Sequence, residues 1–284
     1  MSINRLSPKH WAKLILRPEY REYTQKEKEL ERLKNAPRYT PISTSVLEKP
    51  LNLVDGKSFY YSYREICEDE IYKFISHKPN PFIIDCGSNI GLSILYLKQL
   101  YPESKIIGFE ADPTVYKTLE ANLKSFGYDD IEIYNKALWK EETTLEFAVE
   151  GADGGRVAQN EDKSFKSRVK VPAVCLSNYL SQPVDFLKLD IEGAETEVIK
   201  ECADYLHQVK NLFVEYHSFW EQPQTVNEIL SILKDADFRV SIRSQFASRQ
   251  PFVKQSLQLG MDLQLNIFAY RTPETNENPT NESV

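Results

Sequence analysis

Two groups of residues carry side chains able to do chemistry. The first is Asp85-Cys-Gly-Ser-Asn-Ile-Gly91, a carboxylate followed by two glycines four positions apart, with Glu110 coming 19 positions after Gly91. Glycines at this spacing let the backbone turn tightly and let a ligand approach the main chain, while N–H groups at a helix start can receive an anionic group. The second group is acidic with one imidazole: Asp190, Glu192 and Glu195, then Glu215 and His217. Residues 190 and 192 share a face if the chain is extended there.

The G-x-x-x-G spacing matches neither the G-x-G-x-x-G of dinucleotide folds nor the G-x-x-x-x-G-K-[ST] of a P-loop. Asp85 would repel phosphate and favour an ammonium or sulfonium group. S-adenosyl-L-methionine carries both cations, and Glu110 stands where an acidic side chain accepts hydrogen bonds from two ribose hydroxyls.

These residues need a scaffold that brings them to one edge. After Pro81 the chain alternates strand-like runs (82–85, 105–110, 131–134, 184–190 and 211–217) with helical patterns at 90–101, 113–126, 194–206 and 222–236. That alternation implies a parallel sheet of βαβ units, with ligands bound beyond the strand C-termini. Asp112-Pro113 supplies a cap and a first-turn proline for the second helix. Runs at 238–242 and 263–270 have no good helix between them and read as an antiparallel closing pair. Runs at 143–149 and 168–174 bracket a polar Gly151–Arg156 loop and read as a β insertion. Upstream, helical patterns at 6–16 and 20–33 precede a Pro-punctuated connector, a short strand at 51–54, the aromatic run 59–63 and helical spacing over 63–76. Residues 272–284 are polar and expected to be disordered.

The chain has 284 residues with 41% hydrophobic residues, enough for a sizeable packed core, and a net charge of −7. The acidic balance and the lack of a long basic block argue against a nucleic-acid partner. No apolar stretch reaches the roughly 18 residues of a membrane span and no signal peptide is visible, so the expectation is a cytoplasmic protein without a membrane partner. Cys67, Cys86, Cys175 and Cys202 are widely spaced and read as reduced thiols.

Asp85-x-Gly87-x-Asn89-x-Gly91, Phe109-Glu110-Ala-Asp-Pro113, Asn135-Lys-Ala-Leu138 and Leu187-Lys-Leu-Asp-Ile-Glu-Gly-Ala-Glu195 together resemble the FkbM-type S-adenosylmethionine-dependent methyltransferases. The likeness spans residues 61–270, and the K-x-D-x-E-G-x-E block is its most specific part. It implies an α/β class I methyltransferase (Rossmann-like) fold: a mostly parallel seven-stranded sheet with a terminal antiparallel strand. The expected organisation is a helical extension and connector at 1–60, a methyltransferase domain at 61–271 and a tail at 272–284. The resemblance further implies that Gly87, Ser88, Asn89 and Gly91 wrap the methionine part of the cofactor. Glu110 would hold the ribose, and Ala111, Lys136 and Ala137 would flank the adenine. Tyr61, Tyr63 and Arg64 would close over the carboxylate end, Arg64 as a bidentate pair.

The implied activity is O-methylation of a small-molecule hydroxyl, on a sugar or natural product. His217 is the leading general base because of its near-neutral reference pKa, with Asp190 as competitor or orienting partner and Glu192 beside it. Glu195 has the alternative reading of a carboxylate stabilised at a helix N-terminus. These carboxylates with His217 also suit Mg²⁺, but the spacing lacks a diagnostic metal pattern, so a metal-free site is expected. Tyr216, Phe219 and Trp220 are candidates to stack on the acceptor, and Gly154-Gly155-Arg156 to wall it. The N-terminal helices read either as a lid or as a homodimer contact. Two rival readings are an NAD-linked oxidoreductase, disfavoured by the missing third glycine, and a non-catalytic S-adenosylmethionine-binding module.

Overall fold

The computed structural model describes residues 18–149, 156–157 and 167–271. The patterns at 6–16, most of the 151–156 loop and the 272–284 tail lie outside the described residues. Helix α1 (Pro18–Lys34) leads to a hairpin of β1 (Ile42–Leu47) and β2 (Lys49–Leu53). Asp55 then caps α2 (Gly56–Tyr63) by accepting from the Ser58 amide at 2.8 Å.

The helical spacing read over 63–76 is displaced. Helix α2 already starts at Gly56 and passes into a π-helical turn, Arg64–Glu68, marked by an Asp69 N–H bond to the Arg64 carbonyl at 2.8 Å. Beyond that turn Tyr72 and Phe74 pack as rings rather than as a helix face. Phe74 stacks on Phe186 at 5.0 Å and Tyr72 meets Phe213 edge-on at 4.9 Å. Aromatic packing across the sheet outweighs local periodicity here.

The chain then alternates β3 (Phe82–Cys86), α3 (Leu92–Leu100), β4 (Lys105–Phe109), α4 (Pro113–Phe126) and β5 (Glu132–Tyr134). Asp112 caps α4 through the amides of Thr114 and Val115, with Pro113 in the first turn. An insertion follows: β6 (Ala137–Leu138), β7 (Thr143–Val149), β8 (Arg156–Val157) and β9 (Ser167–Val174) form a separate four-stranded sheet with β7 and β9 antiparallel. The chain returns through β10 (Val184–Leu189), α5 (Glu195–Glu201), β11 (Val209–Phe219), α6 (Val226–Asp235), β12 (Arg239–Ala247) and β13 (Met261–Tyr270).

Seven strands make the central sheet in the order β12-β13-β11-β10-β3-β4-β5. The β13 strand runs antiparallel to both β11 and β12. The last two runs are thus an antiparallel pair, as read, but the final strand inserts between β12 and β11 rather than closing the edge. The strand order reverses between β3 and β10, which pair in parallel, and that reversal opens a crevice above their C-terminal ends.

Two cores cover the sheet. One packs α5 and α6, through Val198, Ile199, Ile229 and Leu233, beneath β10 and β11. The other packs α3 and α4 together with Leu30 and Leu33 of α1, Leu51 and Phe59. The N-terminal elements therefore share a core with the sheet. All four cysteines are free thiols. Among the described residues no helix is long and apolar enough to cross a membrane.

Candidate active site

A cleft of about 1220 Å³ opens at the strand reversal. One half is built by the turn after β3. Gly87 has a φ of +86°, and a Cβ there would lie 1.8 Å from the Asp190 carbonyl oxygen, so only glycine lets the turn pass under the β10 exit. The amides of Gly87 and Ser88 bond the Phe109 carbonyl at 3.0 and 2.8 Å, locking the turn to the end of β4. One step further, Glu110 accepts the Asn89 amide at 2.9 Å and the Asp112 amide at 2.8 Å, one on each carboxylate oxygen. Burial pushes its carboxyl up to about 7, against the pull of those two amides. Asn135 ties the next loop down by donating to the carbonyls of Glu110 and Ala111.

Ser88, Asn89, Glu110, Ala111, Lys136 and Ala137, expected as cofactor residues, all line this half of the cleft. Gly87 lines it too, but Gly91 does not. Gly91 sits at φ +94° where a Cβ would meet Leu119 at 2.8 Å, so it lets α3 pack on α4. Asp85 is also not at the surface of the cleft. It is fully buried, accepts from Ser93 and pairs with Lys188 at 3.3 Å. Its charge is spent inside the protein, which removes the expected direct contact with a ligand cation.

Lys188 opens the K-x-D-x-E-G-x-E block, but the sequence reading assigned it no role. Buried at 2% exposure, its ammonium lies 3.1 Å from Asp190 and 2.8 Å from the Gly87 carbonyl. Burial alone would lower its pKa, but Asp190 and Asp85 together raise it, so it stays charged. It welds the β3 turn to the β10 exit. The signal was present as a lysine inside an otherwise apolar central strand, a position lysine occupies only when paired.

Beyond the exit of β10 lies the second half of the cleft. Glu195, at the start of α5, is 1% exposed and accepts the amides of Ile191 and Gly193 and the Nδ1 of His217, the last at 3.0 Å. It braces the loop between β10 and α5 and also orients the imidazole. The His217 Nε2 lies 3.7 Å from Glu192 and 3.9 Å from Glu215. Burial would lower its pKa, but Glu192, Glu195 and Glu215 drive it well above the ordinary histidine value. The three carboxylates thus favour the protonated ring, and Glu195 fixes its orientation through Nδ1. Asp190, Glu192 and His217 do face the cleft, and each offers a ligand atom within 4.8 Å of the others, a spacing that suits a cation.

Two expected cofactor residues lie elsewhere. Tyr63 is buried against Phe59, with the Lys26 ammonium over its ring, and does not line the cleft. Arg64 reaches the cleft edge, but its terminal nitrogens pair with Glu27, at 2.7 Å, and with Glu68. Tyr61 remains at the rim. Tyr216 is core, its hydroxyl accepting the Thr225 amide at 2.8 Å, and Phe219 fills the space beside Gly193.

A seven-stranded sheet of this order, with its crevice at the strand reversal and an acid at the end of the second strand, defines a class I methyltransferase fold. Residues 85–240 match the family model described as the methyltransferase FkbM domain, and the chain belongs to that family. It is 31% identical over 218 residues to methyltransferase sdnD of Sordaria araneosa, covering 64% of this chain and 82% of that protein. It is 23% identical over 177 residues to 2-O-methyltransferase NoeI of Sinorhizobium fredii, covering 55% of this chain and 72% of the relative. Among solved structures, FkbM methyltransferase from Methylobacillus flagellatus superposes with a TM-score of 0.46 at 15% identity, over 88% of this chain and 60% of that one. The protein is a methyltransferase.

Proposed function

We propose that the protein is an S-adenosylmethionine-dependent O-methyltransferase acting on a hydroxyl of a sugar or small natural product. The observation that carries this reading is Glu110, a buried carboxylate fixed by two backbone amides at the mouth of the glycine turn. A carboxylate has about four acceptor sites. Two are used by the protein, and the others remain for paired hydroxyls such as those of a ribose.

Gly87, Ser88, Asn89 and Glu110 would hold the cofactor, with Ala111, Lys136 and Ala137 along the adjoining wall. When bound, S-adenosylmethionine supplies an electrophilic methyl group on a sulfonium. This chain's residues then have two tasks. They hold the acceptor hydroxyl in line, which can supply effective molarities of ~10⁵–10⁸ M, and they receive its proton, which contributes ~10²–10⁴-fold. Orientation dominates. The candidate proton acceptors are His217, whose ring Glu195 orients, and the carboxylates Asp190 and Glu192 that face the cleft beside it. The relative named a 2-O-methyltransferase supports the choice of oxygen as the methylated atom.

The test is single-turnover transfer from methyl-labelled S-adenosylmethionine to a panel of sugars and natural-product extracts, read by mass. A product heavier by one methyl group is expected, with the rate lowered ~10²-fold or more in D190N or E192Q. Cofactor binding with no methylated product from any acceptor would favour the non-catalytic module. Preferential binding of NAD would favour the oxidoreductase.

A further inference from the structure

We propose that the wall of the cleft facing the glycine turn, formed by Glu65, Glu215 and Asn266, is the acceptor subsite, and that it takes a molecule bearing a protonated amine beside the hydroxyl to be methylated. This rests on the O-methyltransferase reading above and narrows its substrate class to amino alcohols, amino sugars among them.

Three segments far apart in the chain build this wall. The π-helical turn carries Glu65 into the cleft, an irregularity of a kind often found at functional sites. Strands β11 and β13 bring Glu215 opposite Asn266 as register partners. Glu65 accepts from Asn266 Nδ2 at 2.9 Å and from Gln245, and Glu215 accepts from Gln264. These donors are side-chain amides, which satisfy hydrogen bonds without neutralising charge.

The nearby cations are committed elsewhere. The Lys188 ammonium sits against Asp85 and Asp190, the His217 ring sits closest to Glu195, and Arg243, which lines the cleft as the β12 register partner of Asn266, lays its guanidinium over the Phe268 ring. Glu215 keeps only the 3.9 Å approach of His217, and among the described residues Glu65 has no ion-pair partner. Burial, then the neighbouring Asp190 charge, raise both carboxyls, Glu215 to about 8. The wall is therefore short of positive charge.

Asn266 gives the independent sign of a ligand. It is 2% exposed, it lines the cleft, and its side-chain oxygen receives no hydrogen bond. An orphaned buried acceptor of this kind is unfavourable unless a donor arrives. An ammonium brings three donors and no acceptor, whereas a neutral hydroxyl brings one. Three acceptor groups, two of them carboxyls that an arriving ammonium would hold ionised, thus match one ammonium group.

The experiment is ligand-observed NMR on the full chain saturated with S-adenosylmethionine, using matched pairs: ethanolamine against ethylene glycol, glucosamine against glucose, and 2-aminocyclohexanol against cyclohexane-1,2-diol. The amine member of each pair is expected to bind about tenfold or more tightly than its neutral partner. That preference should vanish in E65Q, while calorimetry shows E65Q still binding S-adenosylmethionine as the wild type does. Equal response of amine and neutral members, no response from any amine, a preference that survives E65Q, or replacement of the amine by Mg²⁺ would each overturn the proposal. If the wild type fails to bind S-adenosylmethionine at all, the O-methyltransferase reading falls first and this one with it.

Discussion

The two halves of the cleft hold their carboxylates in opposite ways. On the glycine side, Glu110 is fixed by backbone amides of residues no more than 21 positions away. On the opposite side, Glu65 is fixed by the side chains of Gln245 and Asn266, which lie 180 and 201 positions away. Backbone amides come with the fold itself and are indifferent to most substitutions. Side-chain amides vanish when one residue changes. The contrast teaches that the first half can keep one constant ligand, while the second is free to be retuned for different acceptors without disturbing the sheet.

Breaking the junction between the halves should have the largest effect. In G87A the new Cβ meets the Asp190 carbonyl, and the φ of +86° is strained for alanine. Each of the two effects costs up to ~3 kcal/mol, roughly 6 kcal/mol together. Chemical denaturation checks this against G127A, where φ is +78° but nothing lies within 4 Å, and where a loss of only about 1 kcal/mol is expected. Equal losses at the two positions would deny the close approach. Next comes K188M, which leaves the buried Asp85 and the half-buried Asp190 without their cation and should cost ~3–5 kcal/mol in the same assay.

A smaller effect sharpens the electrostatic side of the comparison. Glu215 titrates higher in the folded protein than the ordinary carboxyl value of 4.5, reaching about 8. In that window the unfolded chain has released a proton that the folded chain still holds. Stability tied to the protonated form is thus complete below pH 4.5 and is lost as pH rises through about 8. Relative to E215Q, the wild type should therefore lose stability across this range in denaturant titrations at stepped pH. A parallel pair of curves would mean that Glu215 is not held in that environment.

Much of the glycine half was legible in the sequence because its signals are local. Gly87, Asn89, Glu110 and Asp112-Pro113 act within a few residues of where they stand, and the alternation of strands and helices set their common edge. Local signals also misled. Gly91 carries the same positive φ as Gly87, yet the neighbour that requires glycine there is Leu119 of the next helix rather than a ligand. Asp85 and Arg64 were read as free charges, and both are paired by residues the sequence does not mark as their neighbours: Lys188 for one, Glu27 and Glu68 for the other. His217 shows the same limit. Its residue type suggested a base, and the three carboxylates around it are brought there only by the folded sheet. The acidic wall was least legible because the contacts of Glu65 with Gln245 and Asn266 join opposite ends of the chain.

The central claim is that Glu110 grips the ribose of S-adenosylmethionine beside the glycine turn, and calorimetric titration of wild type and E110Q with that cofactor tests it most directly. The account predicts one site per chain in the wild type and binding weakened by roughly 10–100-fold in E110Q, the loss of hydrogen bonds to a charged group. Equal affinity in the two proteins, or no binding in the wild type, would contradict it.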